Sequence, residues 1–341
     1  MDTLIIEKKN EVYITVDCDP NVQRELSEFF TFYVPGYKFM PAFRNRMWDG
    51  KIRLFSQKTK EIYFGLYPYI RAFAEERGYQ IVTGKDVEID NKVNKDTVKK
   101  FSNSLGQKFA ARDYQIDAIY HSLKFNRALL LSPTASGKSF IIYALIRYYS
   151  HLIKDNPNNR ILLIVPTTSL VEQMYSDFQS YGWNVKKNCH RLYSGYSNQT
   201  DKKVLISTWQ SLYKLPKKYF EQFGCVFGDE AHLFKSKSLT EIMTKLEDCK
   251  YRIGLTGTLD GAQTHKLVLE GLFGAVNKVT STRKLMDKKQ LSNLVVRCLI
   301  LKHTPDNCKM VASGKYQDEV DYLVSSKSRQ NFIRNLALKL K

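Results

Sequence analysis

The residues from Ser132 to Ser139 read SPTASGKS, and this stretch decides the fold class of the chain. It follows the apolar run ALLLS (128–132) and precedes FIIYALIRYY (140–149), so a strand is predicted to end and a helix to begin there. A phosphate fits that geometry, because backbone N–H groups of the loop and of the helix N-terminus can cradle its oxygens. The pattern predicts a nucleotide-binding loop formed by Pro133, Thr134, Ala135, Ser136, Gly137, Lys138 and Ser139.

Two side chains of this loop have predicted roles in phosphate chemistry. Lys138 would bring a point charge to the β- and γ-phosphates, and Ser139 would ligate Mg²⁺. The strict form of the pattern has Gly at the position of Ser132, and a bare Gly-Lys-Ser also occurs in ordinary strand-to-helix turns. Taken alone, the loop leaves both interpretations open.

A second polar strand end favours the nucleotide interpretation. The apolar run CVFG (225–228) ends in Asp229, Glu230, Ala231 and His232. Asp229 could hold Mg²⁺ through its water shell, and Glu230 could orient, or accept a proton from, the water that attacks the γ-phosphorus. An acidic loop explains each residue separately, but not the order of strand, GKS, strand and DEAH. The two motifs together predict a Mg-nucleotide site whose catalytic residues are Lys138, Asp229 and Glu230, with Ser139 and Asp229 as metal ligands.

The rest of the region from 109 to 280 alternates short apolar runs with helical stretches. The further runs are ILLIVP (161–166), VLIST (204–208) and YRIGLTGT (251–258). Such alternation is typical of β-α-β units, so the predicted fold class is α/β with a parallel sheet.

The flanking regions have a different composition. Residues 1–85 predict a small α/β domain with a strand at 11–17 and helices at 23–33 and 66–79, the second stopped by Gly78. Residues 86–108 are polar and predict a linker with one short helix. In the basic region 281–341, LVVRCLILKH (294–303) predicts a strand and SRQNFIRNLALKLK (328–341) a final helix.

Composition bounds the class of protein. The 341 residues carry 53 Lys plus Arg against 34 Asp plus Glu, a net charge of +19, which favours polyanionic partners such as nucleic acid. With 43% hydrophobic residues the composition favours a packed globular chain over a disordered one. The sequence offers no apolar stretch long enough for a bilayer and no signal-peptide pattern, so we expect no membrane contact and a cytoplasmic location.

The motifs resemble those of superfamily 2 DEAH-type helicases, and more closely the UvsW type of phage recombination helicase. The resemblance implies a RecA-like P-loop lobe that uses ATP and Mg²⁺, and a host-cytoplasm location if the chain is phage-encoded. Residues 112–115 (RDYQ) look like the element in which Gln115 reads the adenine edge and Arg112 supports it. Residues 255–258 (LTGT) are similar to the motif that couples the two ligand sites, which assigns coupling to His232, Thr256 and Thr258.

The resemblance also implies contacts to the nucleic-acid backbone. PTTSLVEQ (166–173) and STWQSL (207–212) look like strand-end motifs that contact the tracked strand, here through Thr167, Thr168, Thr208 and Gln210.

A segment of the small domain interleaves cations with aromatic side chains. FMPAFRNRMWDGKIRL (39–54) suits a backbone that presents phosphates and stackable bases, and the UvsW type has a similar W-D-G-x-x-R-L segment. The predicted DNA-binding residues here are Arg44, Arg46, Trp48, Lys51 and Arg53. The alternative is a hairpin turn at WDG in which Trp48 belongs to the core.

The sequence departs from the resemblance in its second half. A complete motor of this type has two RecA-like lobes, and the arginine motif of the second lobe is not found, so 281–341 is expected to be the end of the first lobe and the entry to a second. We therefore expect an ATP-dependent helicase or translocase acting on branched or double-stranded DNA (forks, Holliday junctions, R-loops with RNA-DNA hybrid). It would be incomplete without a second lobe, which a separate chain could supply. The alternatives are a nucleotide-dependent DNA-binding module without turnover and a restriction-type translocase.

Overall fold

The computed structural model describes residues 2–259, 261–292 and 297–340. These residues form two compact units, one ending at Leu291 and the other beginning at Ser292.

The N-terminal part of the first unit is built on a small mixed sheet. Its elements are β1 (Thr3–Lys8), β2 (Tyr13–Asp17), α1 (Pro20–Phe29), β3 (Thr31–Tyr33), α2 (Pro41–Arg44), β4 (Lys51–Arg53), β5 (Glu61–Tyr63), α3 (Tyr67–Arg77), β6 (Gln80–Thr83) and α4 (Lys95–Asn103), with 3₁₀ turns at Tyr37–Phe39 and Phe64–Leu66. The sheet order is β5-β2-β1-β6, with β6 parallel and β2 antiparallel to β1. β1 buries Leu4 and Ile6 on one face, as alternation requires.

Local sequence signals explain the helices of this part. Asp19 caps α1 by accepting the Asn21 N–H, and Gly78 ends α3 in the left-handed region with φ of 70°. The predicted strand at 11–17 and the helix stopped by Gly78 are confirmed. The predicted helix at 23–33 is too long, because Thr31–Tyr33 pairs antiparallel with Lys51–Arg53 as β3 and β4. Its β-branched and aromatic residues favour that ribbon.

The larger part of the first unit is a parallel α/β layer structure. Its elements are α5 (Asp113–Phe125), β7 (Arg127–Leu131), α6 (Lys138–Leu152), β8 (Arg160–Val165), α7 (Thr168–Ser180), α8 (Val185–Asn188), β9 (Cys189–Leu192), β10 (Val204–Thr208), α9 (Trp209–Leu212), α10 (Lys217–Phe220), β11 (Phe223–Asp229), α11 (Lys237–Lys245), β12 (Tyr251–Thr256), α12 (Gln263–Phe273), β13 (Val276–Lys278) and α13 (Thr282–Asp287), with a 3₁₀ turn at Ala231–Lys235. Seven strands pair in parallel in the order β13-β7-β12-β11-β8-β10-β9. The predicted α/β class with a parallel sheet is confirmed, and so are the five predicted strands.

Two apolar clusters cover the two faces of this sheet. Ala128 and Leu130 of β7 face one cluster, which contains the buried side of α6. Leu129, on the opposite face, joins a cluster that continues through Phe273 of α12 into the core of the small sheet, including Leu4. The small sheet and the large one therefore share a continuous core within the first unit.

Residues 86–108 contain one helix, as predicted. α4 begins at Asn94, whose side chain accepts the Asp96 and Thr97 N–H groups, and it packs on α5. Ahead of it, Asn91 Nδ2 donates to Leu123 O at 2.9 Å. The boundaries 1–85, 86–108, 109–280 and 281–341 stay a prediction.

The second unit contains α14 (Pro305–Ala312), α15 (Tyr316–Ser325) and α16 (Lys327–Leu340). The predicted final helix is confirmed by α16. Of the strand predicted at 294–303, residues 294–296 lie outside the described residues, and 297–303 have no regular secondary structure, so the prediction is wrong there. No strand of the described residues pairs with 297–303, and Ile300 is 85% exposed. Among the described helices, none has both the length and the apolar character of a membrane span.

Candidate nucleotide site and nucleic-acid surface

Three neighbouring strands bring the predicted nucleotide residues to one edge of the sheet. β12 lies between β7 and β11, and all three run parallel, so their carboxyl ends meet. The loop 132–139 follows β7, Asp229 ends β11, and Thr256 ends β12. As a result, Lys138 Nζ donates to Glu230 Oε1 at 2.7 Å.

The loop after β7 is shaped by residues that fix its backbone. Gly137 caps α6 with φ of 80°, and a Cβ at this position would lie 2.4 Å from Gln115 Nε2, so any other residue would strain the backbone and displace the Gln115 amide. Ser136 Oγ donates to Pro133 O at 2.6 Å, which leaves the fully buried Ser132 hydroxyl to donate to Ser136 Oγ at 2.7 Å. Ser132, where the strict pattern has Gly, thus supports the loop from beneath.

The segment before α5 holds the same loop from the side. Gln115 Nε2 and Tyr114 OH both donate to Ser136 O, at 2.9 and 3.1 Å, and Gln115 Oε1 accepts the Arg112 N–H at 3.0 Å. An Arg112 guanidinium N–H donates to Tyr114 OH at 2.7 Å. The structure therefore brings Arg112 and Gln115 to the loop, and adenine recognition by Gln115 stays a prediction.

The acidic strand end combines a buried carboxylate with a strained neighbour. Asp229 is 3% exposed, and its Oδ1 has no hydrogen-bond partner within the described residues. Burial raises the pKa of Asp229 to about 6, although the nearby Lys138 charge lowers it. Glu230 adopts the left-handed region with φ of 49°, which turns its carboxylate toward Lys138. The unpartnered Oδ1 of this buried carboxylate is an oxygen ligand of the kind that a divalent cation takes.

The three predicted coupling residues lie in one hydrogen-bond chain. Thr256 Oγ1 donates to Thr258 O at 2.8 Å, so the His232 Nδ1 that lies 2.9 Å from Thr256 Oγ1 must carry the proton. The same Nδ1 lies 3.4 Å from Glu230 Oε2. A chain of contacts thus links the end of β12 to the acidic pair.

Sequence reasoning missed Tyr181. This residue follows α7, and its hydroxyl lies 2.9 Å from Ser139 Oγ, the predicted metal ligand. It packs edge-on against Phe109 and Phe140. The sequence offers no signal for this contact, because a tyrosine after an amphipathic helix has no motif of its own.

The predicted backbone contacts follow β8 and β10 at the same edge of the sheet. Thr167 caps α7 by accepting the Leu170 N–H, and it and Thr168 are exposed. Gln210 is exposed as well. The Thr208 side chain, in contrast, is buried and pairs with Ser211 at 3.2 Å, so it is not available to a ligand in this conformation.

The segment 39–54 forms a basic and aromatic surface. Trp48 is half-buried and donates its Nε1–H to Lys51 O at 2.8 Å, while Arg44 and Arg46 are exposed and Arg53 pairs with Asp49. A tight hairpin at WDG is not formed, since β4 pairs with the distant β3. A cleft of about 620 Å³ opens on this surface, lined by Lys38, Phe43, Arg44, Arg46, Met47, Trp48 and Asp49.

A parallel sheet with a phosphate-type loop after one strand and an acidic end on the next strand but one defines a P-loop ATPase lobe of the helicase class. The family comparison is consistent with that class. The family profile described as "Type III restriction enzyme, res subunit" matches residues 108–261, and "DNA helicase UvsW, N-terminal" matches residues 6–84.

The chain belongs to the UvsW family of ATP-dependent DNA helicases. It is 32% identical over 338 residues to the ATP-dependent DNA helicase UvsW of Enterobacteria phage T4, a match that covers 96% of this chain and 66% of the phage protein. One crystal structure of that helicase is 31% identical with a TM-score of 0.73, and covers 81% of this chain and 99% of its own. A second is 29% identical with a TM-score of 0.74, and covers 99% and 67%. The chain thus spans about two thirds of the phage T4 helicase.

Proposed function

We propose that the chain binds ATP and Mg²⁺ at the carboxyl edge of the seven-stranded sheet and forms part of a helicase or translocase motor that acts on DNA. The observation that carries this proposal is the approach of Lys138 Nζ to within 2.7 Å of Glu230 Oε1, beside the buried Asp229. Two motifs far apart in the sequence meet there with the charges that nucleotide hydrolysis requires.

The proposed binding roles follow from the positions of the side chains. The backbone around Gly137 and the N-terminus of α6 hold phosphate oxygens, and Lys138 leaves Glu230 to bind the β- and γ-phosphates. Mg²⁺, when bound, neutralises phosphate charge. Ser139 Oγ and the carboxylate of Asp229 are the groups that would hold it.

The proposed catalytic role belongs to Glu230. Once Lys138 has moved to the phosphates, the Glu230 carboxylate is free to orient the attacking water and accept its proton. His232 contacts both Glu230 and Thr256, so a change at the phosphates can reach the end of β12 and Thr258. We assign coupling between nucleotide and DNA to this chain of contacts.

For the nucleic acid we propose two contact regions. Thr167, Thr168 and Gln210 would contact the tracked strand at the sheet edge, together with Thr208 after a local change. The surface 39–54 would contact phosphates and bases through its cations and Trp48. Membership of a DNA helicase family supports DNA as the nucleic acid. We extend the proposal to branched DNA as the substrate, including forks, Holliday junctions and R-loops with their RNA-DNA hybrid, and to action in the host cytoplasm alongside a second RecA-like lobe, in the same or a separate chain.

The test is DNA-stimulated ATP hydrolysis by the purified chain, measured with and without a separately expressed second lobe, alongside binding of a fluorescent ATP analogue. Glu230→Gln should retain nucleotide binding and lose turnover, by about 10² to 10⁴-fold. Glu241→Gln is the matched control, because Glu241 is an exposed carboxylate on α11.

The outcomes separate the proposal from its alternatives. Turnover in either condition that depends on Glu230 supports the motor. Nucleotide-dependent DNA binding without turnover in both conditions favours a binding module. Turnover that survives Glu230→Gln means that another residue positions the water.

A further inference from the structure

Two large apolar side chains are exposed on the basic surface of the segment 39–54. Phe39 is 76% exposed and Met47 is 81% exposed. Phe39 ends the 3₁₀ turn before α2, and Met47 follows shortly after that helix, so the two residues flank it. We refer to them as the apolar pair. A single exposed apolar side chain is common on a protein surface, but two beside one short helix gain free energy when a ligand covers them.

Backbone hydrogen bonds fix the chain that carries the apolar pair. Arg46 adopts the left-handed region with φ of 56° after the end of α2, and the Met47 N–H donates to Ala42 O at 2.9 Å. On the other side of the helix, the Phe39 N–H donates to Gly36 O at 2.9 Å. The main chain therefore holds both residues in place without help from their side chains.

Aromatic contacts brace the same segment. The ring of Phe43 packs edge-on against Tyr37 with 4.7 Å between ring centroids, and Tyr37 stacks on Tyr33 at 4.7 Å. The chain also passes directly over this stack, since a Cβ at Gly50 would lie 2.3 Å from the Tyr37 ring. The surface is thus ordered before any ligand binds, which lowers the entropic cost of binding.

Cations surround the apolar pair. Residues 38–47 contain Lys38, Arg44 and Arg46 and no acidic residue. These three cations and Met47 line the same cleft. Cations suit the phosphates on either side of a base, and apolar side chains suit the base itself. α2 has only four residues, too few for the long apolar face of a helix that lies on a membrane. The combination therefore favours nucleic acid.

The form of DNA decides whether the apolar pair can be covered. In an unbroken duplex each base pair is stacked on both sides, and a side chain can enter only by separating two pairs, which costs free energy. At a branch point the last base pair of an arm has one open face. An apolar side chain can stack on that face without paying for separation.

We propose that Phe39 and Met47 stack on the open base-pair face at a branch point, while the neighbouring cations hold the flanking phosphates. This proposal rests on the proposed contact of the segment 39–54 with DNA, and it adds the feature of the DNA that is recognised. The cations bind any DNA backbone. The preference for a branch over an unbroken duplex comes from the apolar pair.

The experiment measures the affinity of the full chain for two DNA probes by fluorescence anisotropy. One probe is a fully paired three-arm junction, and the other is an unbroken duplex with the same number of phosphates. Glycol linkers close the ends of both probes, so only the junction has open base-pair faces. The double substitution Phe39→Ala with Met47→Ala should lower the affinity for the junction by about five- to a hundredfold, the worth of stacking on a base. The affinity for the duplex should change by less than about twofold.

Two further variants test the chemistry of the contact. Phe39→Trp should keep the preference for the junction, because an indole ring also stacks on a base. The matched control is Met310→Ala with Phe332→Ala, which removes the same two residue types from exposed positions on α14 and α16. An equal loss of junction affinity in this control would assign the effect to apolar surface in general and overturn the proposal.

The cations separate this proposal from the proposed function. Arg44→Ala with Arg46→Ala should weaken binding of both probes and make the slope of log affinity against log salt shallower by about 2, whereas the apolar double variant should leave the slope unchanged. If the arginine variant changes neither probe, the contact of this segment with DNA fails. If it weakens both probes while the apolar double variant keeps the full preference for the junction, the inference alone fails.

Other occupants of the apolar pair give different results. Sedimentation of the DNA-free chain would reveal a dimer that the apolar double variant loses, if a second copy covers the pair. Flotation with phosphatidylglycerol vesicles would reveal binding that the same variant loses, if a membrane surface covers it. Either result, together with an unchanged preference for the junction, would overturn the assignment to DNA.

Discussion

The carboxyl edge of the seven-stranded sheet and the segment 39–54 hold their charges in opposite ways. At the sheet edge, Lys138 is paired with Glu230, and Asp229 is buried beside them. In the segment, Arg44 and Arg46 are exposed to solvent on a short helix and its turn. A closed site depends on each of its members, whereas an open basic surface spreads its interaction over several side chains. Mutations should therefore have large effects at the first and graded effects at the second.

The largest effect should come from Lys138→Ala. This change removes the cation that faces the phosphates and leaves Glu230 and Asp229 without their positive partner. We expect ATP turnover to fall by about 10² to 10³-fold and nucleotide affinity to weaken, as for loss of one preorganised charge donor. Lys154→Ala, an exposed lysine just after α6, is the control for a fluorescent nucleotide titration. Unchanged nucleotide affinity in Lys138→Ala would remove the assignment of the loop.

The next largest effect should come from Asp229→Asn, and it concerns the free energy of unfolding. This substitution tests whether the buried charge of Asp229 destabilises the folded chain. The folded pKa of Asp229, about 6, lies above its ordinary value of 3.8. The folded chain therefore binds this proton more tightly than the unfolded chain, and the group costs stability as pH rises through about 4 to 6. Asp229→Asn should raise the free energy of unfolding by about 1–3 kcal/mol at pH 7.5, with little effect at pH 3.5.

Urea denaturation of the metal-free protein at the two pH values measures this difference. Asp177→Asn, on α7, is a comparison for the effect of burial. Burial also raises the pKa of Asp177, so this substitution should change the free energy of unfolding in the same direction at pH 7.5. The same variant of Asp229 should lose Mg-dependent hydrolysis. Equal free energies of unfolding for wild type and Asp229→Asn at pH 7.5 would contradict the claim that the charge of Asp229 is buried without compensation.

A smaller and graded effect is expected in the segment 39–54. Replacing Arg44, Arg46 and Lys51 with Ala removes up to three phosphate contacts, so the slope of log affinity against log salt should become shallower by about 2 to 3. Affinity for a DNA duplex should fall by about tenfold or more at low salt. The charge-matched control replaces three exposed lysines of 86–108, Lys99, Lys100 and Lys108. An equal change of slope in the control would mean that net charge alone, and not this surface, binds DNA.

The difference between the two regions also explains what could be predicted from the sequence. Parallel strands end at a common edge, so two strand-end motifs were enough to predict that Lys138 and Glu230 meet. The seven-residue strand β11 and the other long apolar runs could be recognised because strands buried on both faces of a parallel sheet are almost continuously apolar. The short strands β9 (Cys189–Leu192) and β13 (Val276–Lys278) lack an apolar run, and they form only because a longer strand lies beside them.

Contacts between remote segments could not be predicted. The pairing of Glu11 with Arg127 joins residues that no motif connects, and the pairing of Thr31–Tyr33 with Lys51–Arg53 ended a helix that periodicity had extended. The segment 39–54 was identified by composition, which suggests a surface but not a geometry. Its contact with DNA stays a prediction.

The smallest effect we expect is at Tyr181, whose hydroxyl pairs with Ser139 Oγ at 2.9 Å. If Ser139 is a metal ligand, this pairing competes with the cation for the serine oxygen. Tyr181→Phe removes one competitor and keeps the ring among Phe109 and Phe140, so the apparent affinity for Mg²⁺ in ATP hydrolysis should rise about two- to tenfold, the worth of one neutral hydrogen bond. Tyr148→Phe on α6, remote from Ser139, is the control. A lower apparent Mg²⁺ affinity in Tyr181→Phe would instead mean that Tyr181 positions Ser139 for the metal. The sheet edge would then be preorganised before the nucleotide binds, and nucleotide binding would not be needed to free the serine.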